Sequence, residues 1–564
     1  MPRIKNLPSA EYRRSKTVWG AIYLVLICLA AGTAFIQLKP DPRIVRQSQK
    51  QYWANVAVSA SRGDIEDKNG IPLAVSVPAT SFFIDPKYWD PGSADLLVPV
   101  FGKTVAKKFS APLRGRFYWV ARDVPNDKAA KLIGKKIPGL YTLSEKVRVY
   151  PHGALAFHVL GFCDIDDYGQ AGVELKWNHI LFSPPRTRFL TRDSNGNTLD
   201  VMGGKSGIVK NTSGKIKLTI DSRIQQIVEW RLSEGAKGAS AAWGAAVCVD
   251  PSTGAIVALA SYPTINPNNR KNLYQKEAVR NNVVGRVFEP GSVFKPVTMS
   301  IALESASASP HSVYKCSGTM RLFDKTMNDV NRRAHGVQDL THVLMNSCNI
   351  GMSIMSMGVP KHQAHGMLKQ FGFGEKTEIE MAGEESGLLK SPEEWLGTVP
   401  DNVFIGQGVA VTPIQMVMVV SAVVNGGSLL KPYIVKEVRD STGHVIHKGE
   451  KRVRYQVISK PTADFVRNAM KMVVSDGGGK AAKSDKVKIG GKTGTAQIAS
   501  GGEYSKGHYV ASFVGFWPAD KPKYVMLVSL GEPKGARYYG GQISAPIFKS
   551  IAEDVEQIVP EKVK

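Results

Sequence analysis

Three short segments carry residue types that together can perform acyl transfer. The first is EPGSVFKP, Glu289 to Pro296, which sets Ser292 and Lys295 in a Ser-x-x-Lys arrangement. If a helix starts at Ser292, residues three apart share a face about one turn apart, and the amine reaches the hydroxyl. A serine hydroxyl is a weak nucleophile until a base takes its proton. A lysine serves as that base when burial and neighbouring cations lower its pKa. A serine at a helix start also has free backbone N–H groups and the positive end of the dipole beside it, and both favour an oxyanion. Pro296 is a local conflict, because it disfavours helical backbone at Lys295 and is tolerated only in a first turn. The second segment, LMNSCNIGM, contains Ser347-Cys348-Asn349. That spacing puts Ser347 and Asn349 on one side of an extended or loop backbone, a hydroxyl to relay a proton and a carboxamide to hold a peptide bond. The third is GGKTGTA, Gly490 to Ala496, holding Lys492, Thr493, Gly494 and Thr495 within a strand pattern. Glycines inside a strand mark the close approach of another backbone or a ligand. Lys492 supplies fixed positive charge, and Thr493 and Thr495 offer hydroxyls suited to a substrate carboxylate.

Each segment alone is weak. Isolated Ser-x-x-Lys occurs by chance in long chains. The second segment also reads as an apolar helix with a polar interruption, and the third as an edge-strand glycine kink. Order and spacing change this. Ser347 follows Ser292 by 55 residues, and Lys492 follows Ser347 by 145. All three together, in this order, form the motif set of penicillin-binding proteins and serine β-lactamases.

The elements that must position these residues are visible as patterns. KIKLTI, Lys215 to Ile220, alternates like a strand, and Asp221 and Ser222 can cap a following helix, Arg223 to Leu232. Two further strands, Ala245 to Val249 and Ala255 to Tyr262, flank the turn DPSTG. Near the C-terminus, Lys486 to Ala499, His508 to Trp517 and Lys523 to Leu530 read as an antiparallel meander. Helical spacing dominates between Ser292 and Val424, with TPIQMVMVVSAVVN as one example. The expectation is an α+β unit: an antiparallel sheet with an all-α subdomain inserted between its early and late strands.

At 564 residues the chain exceeds one hydrophobic core, so at least two folded units are expected. Val18 to Leu38 is a run of 21 residues without a charge, about as long as the ~30 Å hydrocarbon layer when helical. Arg3, Lys5, Arg13, Arg14 and Lys16 precede it against the single acid Glu11, which orients the short tail to the cytoplasm. The run exceeds the ~7–15 residues of a signal-peptide core, so an uncleaved single-pass anchor in the cytoplasmic (inner) membrane is expected, with the rest of the chain on the far side. Cys28 is a poor lipid-attachment site because Ile27 precedes it. The expected division is 1–17 cytoplasmic tail, 18–38 anchor, 39–215 a non-catalytic, elongated strand-and-loop module with turns such as DKNG and SNGN, and 216–564 the catalytic domain.

Net charge is +25, but the basic residues are spread along the chain, with no zinc-ligand spacing, RNP-like run or basic-helix block. A nucleic-acid partner is not expected; an anionic membrane or wall surface, or plain solubility, accounts for the charge. The cysteines, Cys28, Cys163, Cys248, Cys316 and Cys348, form no CxxC pair, so free or buried thiols are expected.

Beyond the motifs, the chain resembles class B penicillin-binding proteins, the monofunctional peptidoglycan transpeptidases, from about Gln51 to Ala545. The segments that carry the resemblance are SRGDIEDKNGIPLAVSV (Ser61 to Val77), RVYPHGALAFHVLGF (Arg148 to Phe162), GQAGVELKWN (Gly169 to Asn178), GAAVCVDPSTGAIVALASYPTINPN (Gly244 to Asn268), GQGVAVTPIQ (Gly406 to Gln415) and NGG (Asn425 to Gly427). The wording of the non-catalytic segments is most similar to the cell-division (septal) branch, with the elongation branch as runner-up. The resemblance implies a pedestal, dimerisation-like domain ahead of a penicillin-binding transpeptidase domain, and no cofactor or metal in the chemistry. It implies a stem peptide ending in D-Ala-D-Ala as donor, β-lactams as inhibitors, and a SEDS-type septal glycosyltransferase and other division proteins as partners. It implies Ser292 as nucleophile, Lys295 as base and Ser347 as proton relay. Asn349, Lys492, Thr493, Gly494 and Thr495 are then substrate-binding, with the N–H groups of Ser292 and Thr495 as oxyanion hole. A β-lactamase, and a vestigial division scaffold, are the rival readings.

Overall fold

The computed structural model describes residues 9–39, 43, 53–58, 61–115, 117–184, 186–192, 198–199, 212–322, 325–397, 399–500 and 503–559. The SNGN turn falls outside the described residues. The chain divides into two units, 1–60 with 184–210, and 61–183 with 211–564.

The first unit contains the apolar run as one α-helix, Ser9–Leu38. Its stretch Arg13–Leu38 is long and apolar enough to cross a membrane, and none of it is buried against protein. Apolar side chains such as Leu24, Ile27 and Phe35 are exposed around it, which water does not favour and hydrocarbon does. The same unit holds antiparallel strands Trp53–Val58, Arg186–Arg192 and Thr198–Leu199.

In the second unit the catalytic segments hang on a five-stranded antiparallel sheet. Its order is Ile256–Tyr262, Trp243–Val249, Tyr524–Gly531, Glu503–Trp517 and Gly490–Ser500. The meander expected near the C-terminus is present, and it continues onto the earlier strand pair. Every residue of Trp243–Val249 is buried, so both sheet faces are covered. Ala246 and Cys248 point to a core shared with helices Ser222–Gly238 and Ser544–Ile558. Ala245, Val247 and Val249 point to the opposite core, which contains helix Pro413–Val424. All twelve residues of that helix are buried, as its unbroken apolar character requires. Thr412 caps it, with the Gln415 amide oxygen accepting from the Thr412 N–H.

Two features of this unit depart from the sequence reading. Residues 292–424 are not only helical: hairpins pair Val313–Cys316 with Gly336–Asp339 and Thr319–Leu322 with Lys325–Asn328. These short strands have no sustained alternation, so periodicity did not reveal them. The module before residue 215 likewise contains helices, including Lys103–Lys107 and Asn126–Ile133, packed on strands Pro72–Ile84, Tyr118–Pro125 and Leu140–Val149.

Strand Lys215–Leu218 lies between the pieces on either side of it in sequence. It runs parallel to Ile65–Glu66 and antiparallel to Val435–Arg439 in one seven-stranded sheet. Thr219 Oγ1 donates to Ile256 O at 2.6 Å and ties this sheet to the catalytic one.

The segments of the pedestal that carry the family resemblance converge on a buried ion triad. Glu174 Oε2 accepts from Arg62 Nε at 2.6 Å and its Oε1 from Arg148 Nε at 2.7 Å, all three side chains being fully or almost fully buried. Burial opposes the carboxylate charge, yet Arg148 and Arg62 hold the Glu174 pKa below its ordinary value. Arg148 also donates to Gly63 O and Arg62 to Asn178 Oδ1. Removing one member leaves buried charges uncompensated. Glu174→Gln is expected to lower stability by about 3–5 kcal/mol, read as a fall in the urea midpoint. A midpoint unchanged from the native protein overturns the assignment of the triad as a structural keystone.

Candidate active site

Ser292 sits in a 3-10 turn, Gly291–Phe294, that leads directly into helix Lys295–Glu304. Pro296 is the second residue of that helix, where its missing N–H would have no partner in any case. The conflict seen in the sequence is thereby resolved by the tighter turn ahead of the helix. Ser292 is half-buried, and Lys295 is fully buried one turn on.

Two backbones press on this turn. Gly291 N–H donates to Gly406 O at 2.9 Å, and a Cβ at Gly406, whose φ is +81°, would lie 2.2 Å from Gly291 O. On the other side is Gly494 of strand Gly490–Ser500. A Cβ there would meet Val293 Cγ1 at 2.8 Å and Val293 N at 3.0 Å. The close approach read from the glycines of this strand is therefore made to the turn that carries Ser292. The strand is at the edge of its sheet, so one row of its backbone groups has no strand partner and faces the turn. Thr495 Oγ1 accepts from Gly540 N at 3.0 Å, which joins the edge to the loop before helix Ser544–Ile558.

Ser347 is the meeting point. Its φ is +56°, a left-handed conformation, and Asn349 starts a helix, Asn349–Ser356, whose N-cap is Cys348. The expected extended or loop backbone is a left-handed residue followed by a helix start. Lys295 Nζ donates to Ser347 O, to Ser347 Oγ at 3.3 Å and to Asn349 Oδ1 at 2.7 Å. Lys492 Nζ donates to Ser347 Oγ at 2.9 Å and to Thr493 O at 2.9 Å. The hydroxyl thus bridges two amines from motifs 197 residues apart. Asn349 is held in turn: its Nδ2 donates to Asn328 O at 3.0 Å, and its backbone N–H to Asp329 Oδ1 at 3.3 Å.

Both lysines are fully buried, and burial penalises the ammonium form. For Lys295 it outweighs the attraction of Asp329 and Cys348 and pulls the pKa down to about 8. For Lys492 burial acts together with repulsion by Lys295, and the pKa falls well below the ordinary lysine value. The positive charge that the sequence reading gave to Lys492 is thus disfavoured by its surroundings. Two amines on one hydroxyl in a dry site disfavour double protonation, so neutral amine is available near neutral pH.

Asp329 is the residue that sequence reasoning missed. It is buried, lies 18 residues before Ser347, and fixes the start of the Asn349 helix from beneath. Nothing in motif spacing marked it, since it acts through a hairpin the pattern did not reveal.

The three segments thus meet around the Ser347 hydroxyl, with two buried amines bonded to it. Comparison with known proteins makes the class specific. Residues 244–553 match the penicillin-binding protein transpeptidase domain, and residues 57–215 the penicillin-binding protein dimerisation domain. The chain is 31% identical over 569 residues to stage V sporulation protein D of Bacillus subtilis, covering 98% of this chain and 86% of that one. It is 31% identical over 546 residues to peptidoglycan D,D-transpeptidase FtsI of Escherichia coli, covering 94% and 89%. Penicillin-binding protein 3 of Mycobacterium tuberculosis, solved in complex with ampicillin, aligns with a TM-score of 0.69 and 26% identity, over 90% of this chain and 98% of that one. The chain belongs to the class B penicillin-binding proteins. It is a peptidoglycan D,D-transpeptidase with a dimerisation-type domain ahead of the catalytic one, and one apolar helix consistent with a single-pass membrane protein.

A pH dependence follows from the buried amines. The protonated form of Lys295 cannot accept a proton, and its pKa is about 8. Acylation by a fluorescent penicillin is therefore expected to rise close to tenfold per pH unit below about 8 and to level off above it. A rate constant that does not change across that range contradicts a titrating amine as the proton acceptor.

Proposed function

We propose that the chain cross-links septal peptidoglycan during cell division through an acyl-enzyme on Ser292. The convergence on Ser347 of Lys492 and of Lys295, which follows Ser292 by one turn, is the observation that supports the residue roles. Ser292 Oγ attacks the carbonyl of the penultimate D-Ala of a stem peptide, and its proton passes to Lys295. Lys295 Nζ is bonded to Ser347 and Asn349, and a substrate that draws Asn349 away frees it for this step. The tetrahedral oxyanion is stabilised by the backbone N–H groups of Ser292 and Thr495. Ser347 carries the proton from the lysine pair to the departing D-Ala amine. Thr493 and Thr495, on the edge strand with Gly494, hold the terminal carboxylate, and Asn349 orients the peptide. An amine from a second stem peptide then opens the acyl-enzyme. A β-lactam enters the same sequence, and its acyl-enzyme persists because the site is built for an amine.

The septal role is supported by the wording of the pedestal segments and by FtsI among the relatives; the sporulation protein is matched at the same identity. The basic residues before the apolar helix support a cytoplasmic N-terminus with the catalytic domain on the outer side. A transpeptidase that polymerises no glycan requires a glycosyltransferase partner, and the division branch points to the SEDS type.

Labelling with a fluorescent penicillin tests the nucleophile. A slowly decaying covalent band is expected on the native protein and none on Ser292→Ala. A folded native protein without a band leaves only the scaffold reading. Depletion in the native host tests the role: filaments rescued by the native gene but not by Ser292→Ala support division, and round cells assign elongation.

A further inference from the structure

The segment 399–408 forms the wall opposite the edge strand, and it holds a buried carboxylate to which the chemistry assigns no role. Its helix, Val399–Phe404, carries Asp401, which is 7% exposed. Ser353 Oγ donates to Asp401 Oδ1 at 2.8 Å. Ser353 is fully buried and lies one turn into helix Asn349–Ser356, which starts at the second motif. Beyond Asp401 the segment bonds at three points to the Ser292 side. Thr298 Oγ1, one turn after Lys295, donates to Phe404 O at 2.6 Å. Gly291 N–H donates to Gly406 O at 2.9 Å, and Gly408 N–H to Glu289 Oε1 at 2.9 Å. Asn402 O accepts from the N–H groups of Ile405 at 3.1 Å and Gln407 at 2.8 Å, which closes the segment on itself.

A buried carboxylate partnered by a hydroxyl is a poor way to stabilise a fold. Burial pushes the Asp401 carboxyl up, the Ser353 hydroxyl and its own backbone N–H hold it down, and no cation contributes. Two apolar side chains of the same shape would fill the space at no greater cost. Features that burden the fold in this way fall at functional sites. This pair joins two of the three motif segments. We infer, given the proposed roles of Ser292, Lys295 and Asn349, that Asp401 and Ser353 are positioning residues for acyl transfer. Their hydrogen bond holds the Ser292 turn and the start of the Asn349 helix at a fixed spacing. On the reactive side the two segments are joined through Lys295 Nζ, which bonds to Ser347 and Asn349. Those bonds exchange when Lys295 takes a proton and when Asn349 turns to the peptide. The Asp401–Ser353 bond involves neither lysine, so it persists through the cycle and keeps Ser292 within reach of its base.

The test follows acylation of the full chain in detergent by a fluorescent penicillin, resolved into the saturating rate and the half-saturating concentration. Ser353→Ala and Asp401→Ala are each expected to lower the saturating rate about tenfold while the half-saturating concentration stays within about twofold of native. The double variant is expected to be no slower than the slower single one, since both changes break the same bond. Asp401→Asn keeps an oxygen for the Ser353 hydroxyl and is expected to acylate within about twofold of the native rate. Ser353→Ala guards against misfolding of the Asp401 variants, because alanine favours the helix and leaves most of the packing in place. Four results each overturn the inference: a native rate in Ser353→Ala, single losses that multiply in the double variant, a loss confined to the half-saturating concentration, or a loss in Asp401→Asn equal to that in Asp401→Ala. A native chain that no penicillin labels removes the Ser292 assignment first, and this inference with it.

Discussion

Everything at the catalytic centre depends on placing two lysine side chains out of water on one serine hydroxyl. In water each amine would be protonated and useless as a base. Burial of Lys295 and Lys492 weakens that preference, and at Lys492 repulsion by Lys295 adds to it. Ser347 makes the arrangement tolerable by bonding to both. The fold must then supply a dry pocket that three separate segments enter together, and each major element can be understood as serving that requirement.

The sheet supplies one wall. Its edge strand carries Lys492, and its glycine at 494 lets the strand meet the Ser292 turn at backbone distance. Gly406 lets the opposite wall approach equally closely. A side chain at either position would displace the turn that carries Ser292. The buried helix Pro413–Val424 and the two cores on either side of the sheet make these walls stiff, so the spacing does not relax.

The non-catalytic part of the second unit is not an appendage. Strand Lys215–Leu218 is shared with Ile65–Glu66 and Val435–Arg439, and Glu174 is clamped between Arg62 and Arg148. Ala156 N–H donates to Glu229 on helix Ser222–Gly238, which packs on the catalytic sheet. Burial raises the Glu229 pKa to about 7, so even this link is made by a group held in low dielectric. Such contacts explain why the pedestal segments carry the family resemblance although they carry no chemistry: they hold the catalytic domain against its base.

The sequence by itself determined the three motifs, their order, the apolar helix and the main strands, because each is encoded locally, by residue type and periodicity. The helix cap at Asp221 and the C-terminal meander were legible for the same reason. Tertiary structure decided what no local pattern contains. It decided that Lys492 is a buried, destabilised cation, since desolvation depends on what packs around it. It brought Asp329 under Asn349 and Cys316 beside Cys348 through short hairpins without periodicity. It also placed Lys215–Leu218 in the sheet of the pedestal, because strand pairing is a long-range choice. Chemistry was readable from residue types; the electrostatics that make it work arise only when distant segments exclude water together.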